Sequence, residues 1–316
     1  MSMQIFSDFL YRTMTEVVDQ QVQLFNQATR GGIVLQAAAN VGNYADRIKW
    51  GLISGLVRVR DVNGTGAVTA KTMDQISETS VKLARGTPPV TLPTALLDWI
   101  KVSPDQAGAM VGQQLAVAML QNKVNTAIKA LVASLSGQAS NLHDYTATGV
   151  NTLGQLVVGA AKLGDRSESI ACWVMHSKTK ADILGAAVAN ANVLFNFGTI
   201  NVVNDGMGRP LIVTDSPDLT YVATGNKYRT LGLVPGAAVV EDNGDFRAVT
   251  ATTTGTENIV DTYQAQWSFN LSLMGFQWDK TNGAANPSDA AVATATNWDK
   301  IATSNKDLAG VLILSQ

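Results

Sequence analysis

The sequence predicts an α+β protein in which one long helix carries strand-rich layers. Three stretches of the 316-residue chain lead there: an unbroken helical pattern over 104–135, alternating short strands and helices over about 145–245, and a strictly alternating strand over 259–278.

The helix over 104–135 is read from both its ends and its stripe. Pro104 loses no hydrogen bond at the first helical position, Asp105 favours the positive end of the dipole, Ser103 is the expected N-cap, and Gly137 is the expected stop. Val117, Leu120, Val124, Ile128, Leu131 and Leu135 recur at three- and four-residue spacing, and Met110, Val111, Leu115 and Met119 widen the stripe. That pattern leaves Gln113, Gln114, Asn122, Lys123, Thr126 and Lys129 for wetter faces. At 1.5 Å per residue the helix is roughly 45–50 Å long, a spine onto which several layers can dock.

Upstream, Phe9, Leu10, Thr13, Val17, Gln21, Leu24 and Phe25 give a helical pattern over 6–28, which Arg30-Gly31-Gly32 ends before a short strand at 33–35. From 52 to 62 apolar Leu56, Val57, Val59 and Val62 alternate with Arg58 and Arg60, predicting a strand that turns at Asn63-Gly64. A second strand is expected over 79–85, blocked by Pro88-Pro89. The pair reads as an extended hairpin with little core of its own, which needs a neighbour for stability.

Past the spine, a helix is expected over 151–163, a buried strand over 170–175, and a helix opening at His176 or Ser177 and running through Ala189. Strands follow at 200–203, 211–214, 221–224 and 237–241, an α/β or α+β region of about 90 residues. Over 259–278, Trp267, Phe269, Leu271 and Leu273 alternate with Gln266, Ser268, Asn270 and Ser272, predicting one dry face suited to lying across the spine. Another short strand is expected at 308–314. Trp278-Asp279-Lys280 recurs as Trp298-Asp299-Lys300, too short a match to define a repeat.

Composition narrows the function classes. Only 15% of residues are charged, against roughly 25% in an average soluble domain. Such a chain is expected to bury surface in a large permanent interface. A formal net charge of -2 argues against a broad basic face that neutralises nucleic-acid phosphates. The single cysteine, Cys172, excludes an internal disulfide and a multi-cysteine zinc site, and its apolar surroundings mark a small core residue. Asp8 and Arg12 break any signal-peptide core, so the chain is expected in a cytosol. Residues 183–204 carry no formal charge, but five asparagines with Gly185, Gly198 and Thr199 spoil them as a membrane span.

Catalytic chemistry is hard to assemble from this inventory. His143 and His176 are the only histidines, and His176 beside Ser177 at a strand-to-helix turn is the one arrangement resembling a nucleophile site. A G-x-S-x-G elbow, a P-loop, a dinucleotide fingerprint, an EF-hand and H-E-x-x-H are all missing from the sequence. No catalytic residue, cofactor or metal is therefore expected. Arg58, Arg60, Lys82 and Arg85 concentrate positive charge on the hairpin, either as a solvated face or as partners for acidic groups of a neighbouring subunit.

Four stretches carry a family resemblance: W-V-M-H-S-K-T-K-A-D at 173–182, G-R-P-L-I-V-T-D-S-P at 208–217, L-G-L-V-P-G-A-A-V-V at 231–240, and W-D-K-T-N-G-A-A-N-P-S-D at 278–289. With N-W-D-K-I-A-T-S-N-K-D-L-A-G after the last, and with the order of elements, the chain resembles the major capsid proteins of tailed bacteriophages with the Hong Kong 97-type fold. The resemblance implies an N-terminal arm at 1–51, an extended loop at 52–92, a peripheral domain with the spine at 93–144, an axial domain at 145–245, and a return to the peripheral domain over 246–316. It implies a virion coat subunit, assembled in the host bacterial cytoplasm into pentamers and hexamers that close an icosahedral shell around double-stranded DNA, which is bound non-specifically. A separate scaffolding protein, a portal and a decoration protein are the further partners it implies, and no membrane.

On the same resemblance, Phe9, Val17 and Leu24 of the arm and Arg58, Arg60, Lys82 and Arg85 of the loop are the expected inter-subunit contacts. The lysine–asparagine cross-link of some members finds no matching positions. The competing readings are an encapsulin-like compartment shell and an intracellular hydrolase using His176. Deleting residues 60–84 is expected to leave a folded but assembly-defective subunit.

Overall fold

A computed structural model of the chain describes residues 2–50, 56–73, 75–92, 98, 100, 102–189, 208–223, 225–255 and 260–316. The order is α1 (Ser2–Ala28), β1 (Ile33–Ala37), β2 (Tyr44–Trp50), β3 (Gln75–Gly86), β4 (Val90–Leu92), α2 (Pro104–Ser136), β5 (Leu142–Asp144), α3 (Leu153–Ala161), β6 (Cys172–Met175), α4 (Ser177–Ala189), β7 (Leu211–Val213), β8 (Thr220–Ala223), β9 (Gly225–Leu233), β10 (Ala238–Asp242), β11 (Arg247–Thr253), β12 (Val260–Leu273), β13 (Phe276–Trp278), α5 (Asp289–Val292), β14 (Trp298–Lys300) and β15 (Gly310–Ser315).

The strands form two sheets. In the nine-stranded sheet the long β12 is the hub. One edge pairs with β10 (Ala238↔Leu273) and β11 (Arg247↔Gln266), and the other with β4 (Leu92↔Asp261), β3 (Gly86↔Gln266) and β13. The six-stranded sheet runs β5-β15-β9-β6-β7, with β8 on β9. One continuous apolar core includes Leu131 of α2, Trp173 of the smaller sheet and Phe269 of the larger.

The spine helix α2 has the predicted length, and it touches strands of both sheets. Its ends are plainer than expected: Ser103 stands at the N-cap without a side-chain bond, and Gly137 closes the helix in right-handed geometry at φ -74°. From Thr126 to Leu135 it is enclosed almost all round, which explains two departures from the predicted stripe. Lys123 and Thr126, assigned to a wet face, are buried. Lys123 forms an ion pair with Asp242 of β10, and Thr126 Oγ1 donates to Asn122 O at 2.8 Å, so neither is left without compensation. Met110 and Val117, placed in the apolar stripe, stay half exposed, because the first half of α2 is covered by α1 along one side only.

Two glycines let α1 and α2 approach backbone to backbone. A Cβ at Gly108 would lie 2.6 Å from Phe6 O, and one at Gly112 would lie 2.6 Å from Leu10 O. Alanine in a helix interior is ordinarily worth about 1 kcal/mol over glycine. Here Gly112→Ala is expected to act the other way, destabilising by about 1–3 kcal/mol in urea unfolding, because the added methyl meets main chain that cannot give.

The dry-face expectation for β12 needs correction. Ser268, Asn270 and Ser272 are buried along with Trp267, Phe269, Leu271 and Leu273. Asn243 and Asp245, just beyond β10, cover the second face. Asn243 Nδ2 donates to Ser268 Oγ at 2.9 Å, Asn270 Nδ2 donates to Asn243 Oδ1 at 3.1 Å, and Ser268 N donates to Asp245 Oδ1 at 2.7 Å. The alternation in sequence therefore separates a dry apolar face from a dry polar one.

The two W-D-K tripeptides meet in space. β13 and β14 are antiparallel with Trp278 opposite Trp298, and the indole rings are 4.9 Å apart at 75°, edge to face. Trp278 Nε1 donates to Ala284 O and Trp298 Nε1 to Val292 O, each at 3.0 Å. The pair thereby fixes the connection between them at both ends.

Candidate assembly surfaces

The sequence-predicted hairpin exists, with one strand moved. β3 is the expected second strand, lengthened to Gln75–Gly86. Its inner part, Val81–Gly86, lies beside β12, while Gln75–Val81 runs outward paired with β2. The first strand was expected at 52–62; residues 56–62 instead have no regular structure, and 52–55 lie outside the described residues. The partner strand is Tyr44–Trp50, whose charges at Asp46, Arg47 and Lys49 blur the alternation that marks a strand. The Val-Arg alternation at 57–60 has strand propensity, but no strand among the described residues pairs with it.

Ion pairs fix the root of the hairpin to the body. Arg47 pairs with Glu241, whose side chain is only 4% exposed and also accepts from Gln36 Nε2 at 2.9 Å. Within the hairpin, Lys49 of β2 pairs with the nearly buried Glu78 of β3, which ties the two strands to each other. Asp46 accepts from Lys280 Nζ at 2.8 Å and Thr79 Oγ1 at 2.7 Å, and these bonds hold its carboxyl below the usual carboxylate range. The tethers to Glu241 and Lys280 were not apparent in the sequence, because they join residues 194 and 234 positions apart.

Of the four loop cations, the structure brings two back to its own chain. Lys82 Nζ is 3.7 Å from Asp245 Oδ2, and Arg85 Nη2 is 2.5 Å from Asp289 Oδ1. Arg58 and Arg60 lie in the exposed segment 56–73. Around them Val57 is 94% exposed and Val59 96%, and Leu56, Val62, Val68, Met73, Ile48 and Trp50 are all more than half exposed. Aliphatic and aromatic side chains are thus left uncovered together on one projection.

The arm helix α1 divides its residues between two tasks. Phe6, Leu10 and Met14 are buried against the body. Phe9 and Leu24 face outward, 41% and 61% exposed, while Val17 is half covered. The arm is thus clamped on its own spine at Gly108 and Gly112 and presents a second apolar face outward.

The groups weighed for chemistry have structural uses. His176 Nδ1 accepts from Lys178 N at 3.1 Å, capping α4, and its Nε2 is 3.4 Å from Asp215 Oδ1. His143 Nε2 lies 2.8 Å from Gln155 Oε1. Cys172 is buried beneath Gly32, where a Cβ would meet its Sγ at 2.6 Å, and burial pushes its thiol up to about 12. Among the described residues no cluster of histidine, cysteine and carboxylate side chains could hold a metal ion, and no helix is long and apolar enough to cross a membrane. Residues 190–204 of the uncharged stretch, with the strand expected at 200–203, lie outside the described residues.

Comparison with known proteins decides among the container and enzyme readings. The sequence matches the Gp13-like family, described as major capsid protein 13-like, over residues 2–312. The chain belongs to this family of major capsid proteins. Solved phage capsids share its fold at low identity. The capsid of cyanophage Pam1 superposes with a TM-score of 0.53 at 12% identity, covering 87% of this chain and 85% of that one. The head of Helicobacter pylori bacteriophage KHP40 gives 0.53 at 11%, covering 92% and 88%, and the capsid of myovirus phage XM1 gives 0.51 at 12%, covering 91% and 90%. No curated protein sequence matches the chain.

The fold is the Hong Kong 97-type expected from the four motifs, and this major capsid protein is a structural, non-enzymatic coat subunit of a phage virion.

Proposed function

We propose that this capsid protein assembles into pentamers and hexamers that close an icosahedral shell around double-stranded DNA, with the segment 56–73 and the outer face of α1 as the surfaces that neighbouring copies cover. The single observation that carries this reading is the exposed apolar run from Leu56 to Val62 at the end of a hairpin whose root is fixed by ion pairs. A rigid projection with an uncovered tip fits a repeated head-to-tail contact, and such contacts close into rings when the rotation permits.

Arg58 and Arg60 supply the loop's charge for acidic groups on the neighbour, and Phe9, Val17 and Leu24 supply the arm's apolar contact. Lys82 and Arg85, paired within the chain, set the angle of the hairpin and contact the neighbour with their remaining surface. In this reading 1–51 is the arm, 52–92 the extended loop, 93–144 and 246–316 the peripheral domain and 145–245 the axial domain; β10, inside the axial range, pairs into the nine-stranded sheet, while β5 and β15, inside the peripheral ranges, pair into the six-stranded one. A formal net charge of -2 suits an inner wall that leaves DNA to its own counterions. A separate scaffolding protein, a portal and decoration subunits complete the partners, and assembly takes place in the host cytoplasm.

Electron microscopy of cells producing the chain together with its genomic neighbours tests this directly. Closed shells with five- and sixfold clusters are the expected result. A compact monomer under every co-expression condition, with the segment 56–73 folded onto the body, would refute the proposal.

A further inference from the structure

We propose that Asn63 is a built-in deamidation site, which the fold leaves open while closing the two other Asn-Gly sequences of the chain. The three are Asn63-Gly64, Asn243-Gly244 and Asn282-Gly283. In each, the following residue lacks a Cβ, so its amide nitrogen can approach the asparagine side chain. The reaction is the attack of that nitrogen on Cγ. A bond from the backbone nitrogen to Cγ forms, the Cγ–Nδ2 bond breaks, and ammonia leaves carrying the amide proton. Water then opens the cyclic imide at either carbonyl, giving aspartate or isoaspartate. One water is consumed, one ammonia is released, and no electrons change hands.

Two of the sites are held in geometries that prevent this. At Asn243, Nδ2 donates to Ser268 Oγ at 2.9 Å, Oδ1 accepts from Asn40 N and Asn270 Nδ2 at 3.1 Å each, and Gly244 N donates to Asp242 Oδ1 at 2.9 Å. At Asn282, Nδ2 donates to Asp279 Oδ2, while Gly283 N donates to Asp279 O at 2.9 Å. Gly283 is also packed so closely on the Trp278 ring that a Cβ would lie 2.3 Å from it. Both nucleophile and electrophile are engaged in each case, and reaction requires local opening of the fold.

Asn63 is held far more loosely. It lies in the exposed, irregular segment 56–73. Its backbone N donates to Asp61 Oδ1 at 3.0 Å, and no hydrogen bond among the described residues engages its side-chain amide. The nucleophile, Gly64 N, makes a single contact with Asp61 O at 3.4 Å, the outer limit of a hydrogen bond. Conversion places a new carboxylate near Arg58 and Arg60, and the isoaspartate form adds a methylene to the main chain there. The charge and path of the loop thus change with the time a subunit spends unassembled.

The test is peptide mapping of the purified full-length chain, incubated at mildly alkaline pH and followed by mass spectrometry with isoaspartate detection. Conversion at Asn63 is expected to run at least ~10-fold faster than at Asn243 or Asn282 in the folded protein, since the latter two react only through opening. In denaturant the three rates are expected to converge, and Asn63→Ser should remove the loop signal while leaving the other two unchanged. Equal rates at the three sites in the folded chain, an Asn63 slower than Asn243, or a preference for Asn63 that persists undiminished in denaturant would each overturn the proposal.

Discussion

Replacing residues 56–73 by a short Gly-Ser linker is expected to abolish shell formation while leaving the subunit folded. The exchange joins β2 to β3 across a tighter connection and removes side chains that touch little of the body, Val57 and Val59 being almost fully exposed. Loop-closure entropy changes slowly with length, so unfolding in urea should shift by less than ~1 kcal/mol. Assembly should fall from the wild-type yield to below detection by sedimentation. Shells at normal yield from the shortened chain would show that the loop is not an assembly surface. The wider deletion of 60–84, attractive from sequence alone, is the wrong experiment: it removes Val81 and Leu83, both fully buried between β12 and the core, and a failure to assemble would then report only a failure to fold.

The Trp298→Ala change is expected to cost about 3–5 kcal/mol, a large part of the ~5–15 kcal/mol that holds a typical domain together. Trp298 is 4% exposed, its ring meets Trp278 edge to face, and its Nε1 holds Val292 O. Truncation opens a cavity, strips the partner ring of its neighbour and leaves a carbonyl unpaired. Trp298→Phe is expected to cost less, about 1–3 kcal/mol, since it keeps one aromatic ring against Trp278 while losing the donor and part of the buried volume. The measurement is the urea midpoint of both variants. An alanine variant within ~1 kcal/mol of wild type would mean that the two rings do not anchor the connection between β13 and β14.

That pair also shows where the sequence was legible and where it was not. The recurrence of Trp-Asp-Lys was visible, but three residues carry no information about register, and only the antiparallel pairing explains why the same side chains face each other. The spine could be read because its period persists over many turns. β6 could be read because all four of its residues are buried. β9, the middle of the smaller sheet, escaped because Asn226, Lys227 and Arg229 interrupt its apolar run. In the fold, Lys227 Nζ reaches Thr146 O at 3.2 Å and the Arg229 guanidinium lies 4.4 Å from the Tyr221 ring, so tertiary partners accommodate charges that pattern alone assigns to water.

β11 escaped for the opposite reason: its largely exposed residues carry no apolar alternation. At the candidate surfaces, the exposed valines and arginines were visible in the sequence. The ion pairs that aim them were not, because they join segments remote along the chain. Gly108 and Gly112 were likewise visible as letters, but a close helix crossing is indicated only when the partner helix is known.

The position of β15 has a consequence for biosynthesis. This strand, at Gly310–Ser315, is inserted between β5 and β9, pairing parallel with one and antiparallel with the other. A ribosome that stalls earlier releases a polypeptide with a gap in the interior of a sheet, exposing the edges of both flanking strands. A copy that lost this strand is therefore expected to stick to other chains through those open edges, so that in a particle of many identical tiles the integrity of each tile rests on one central ribbon.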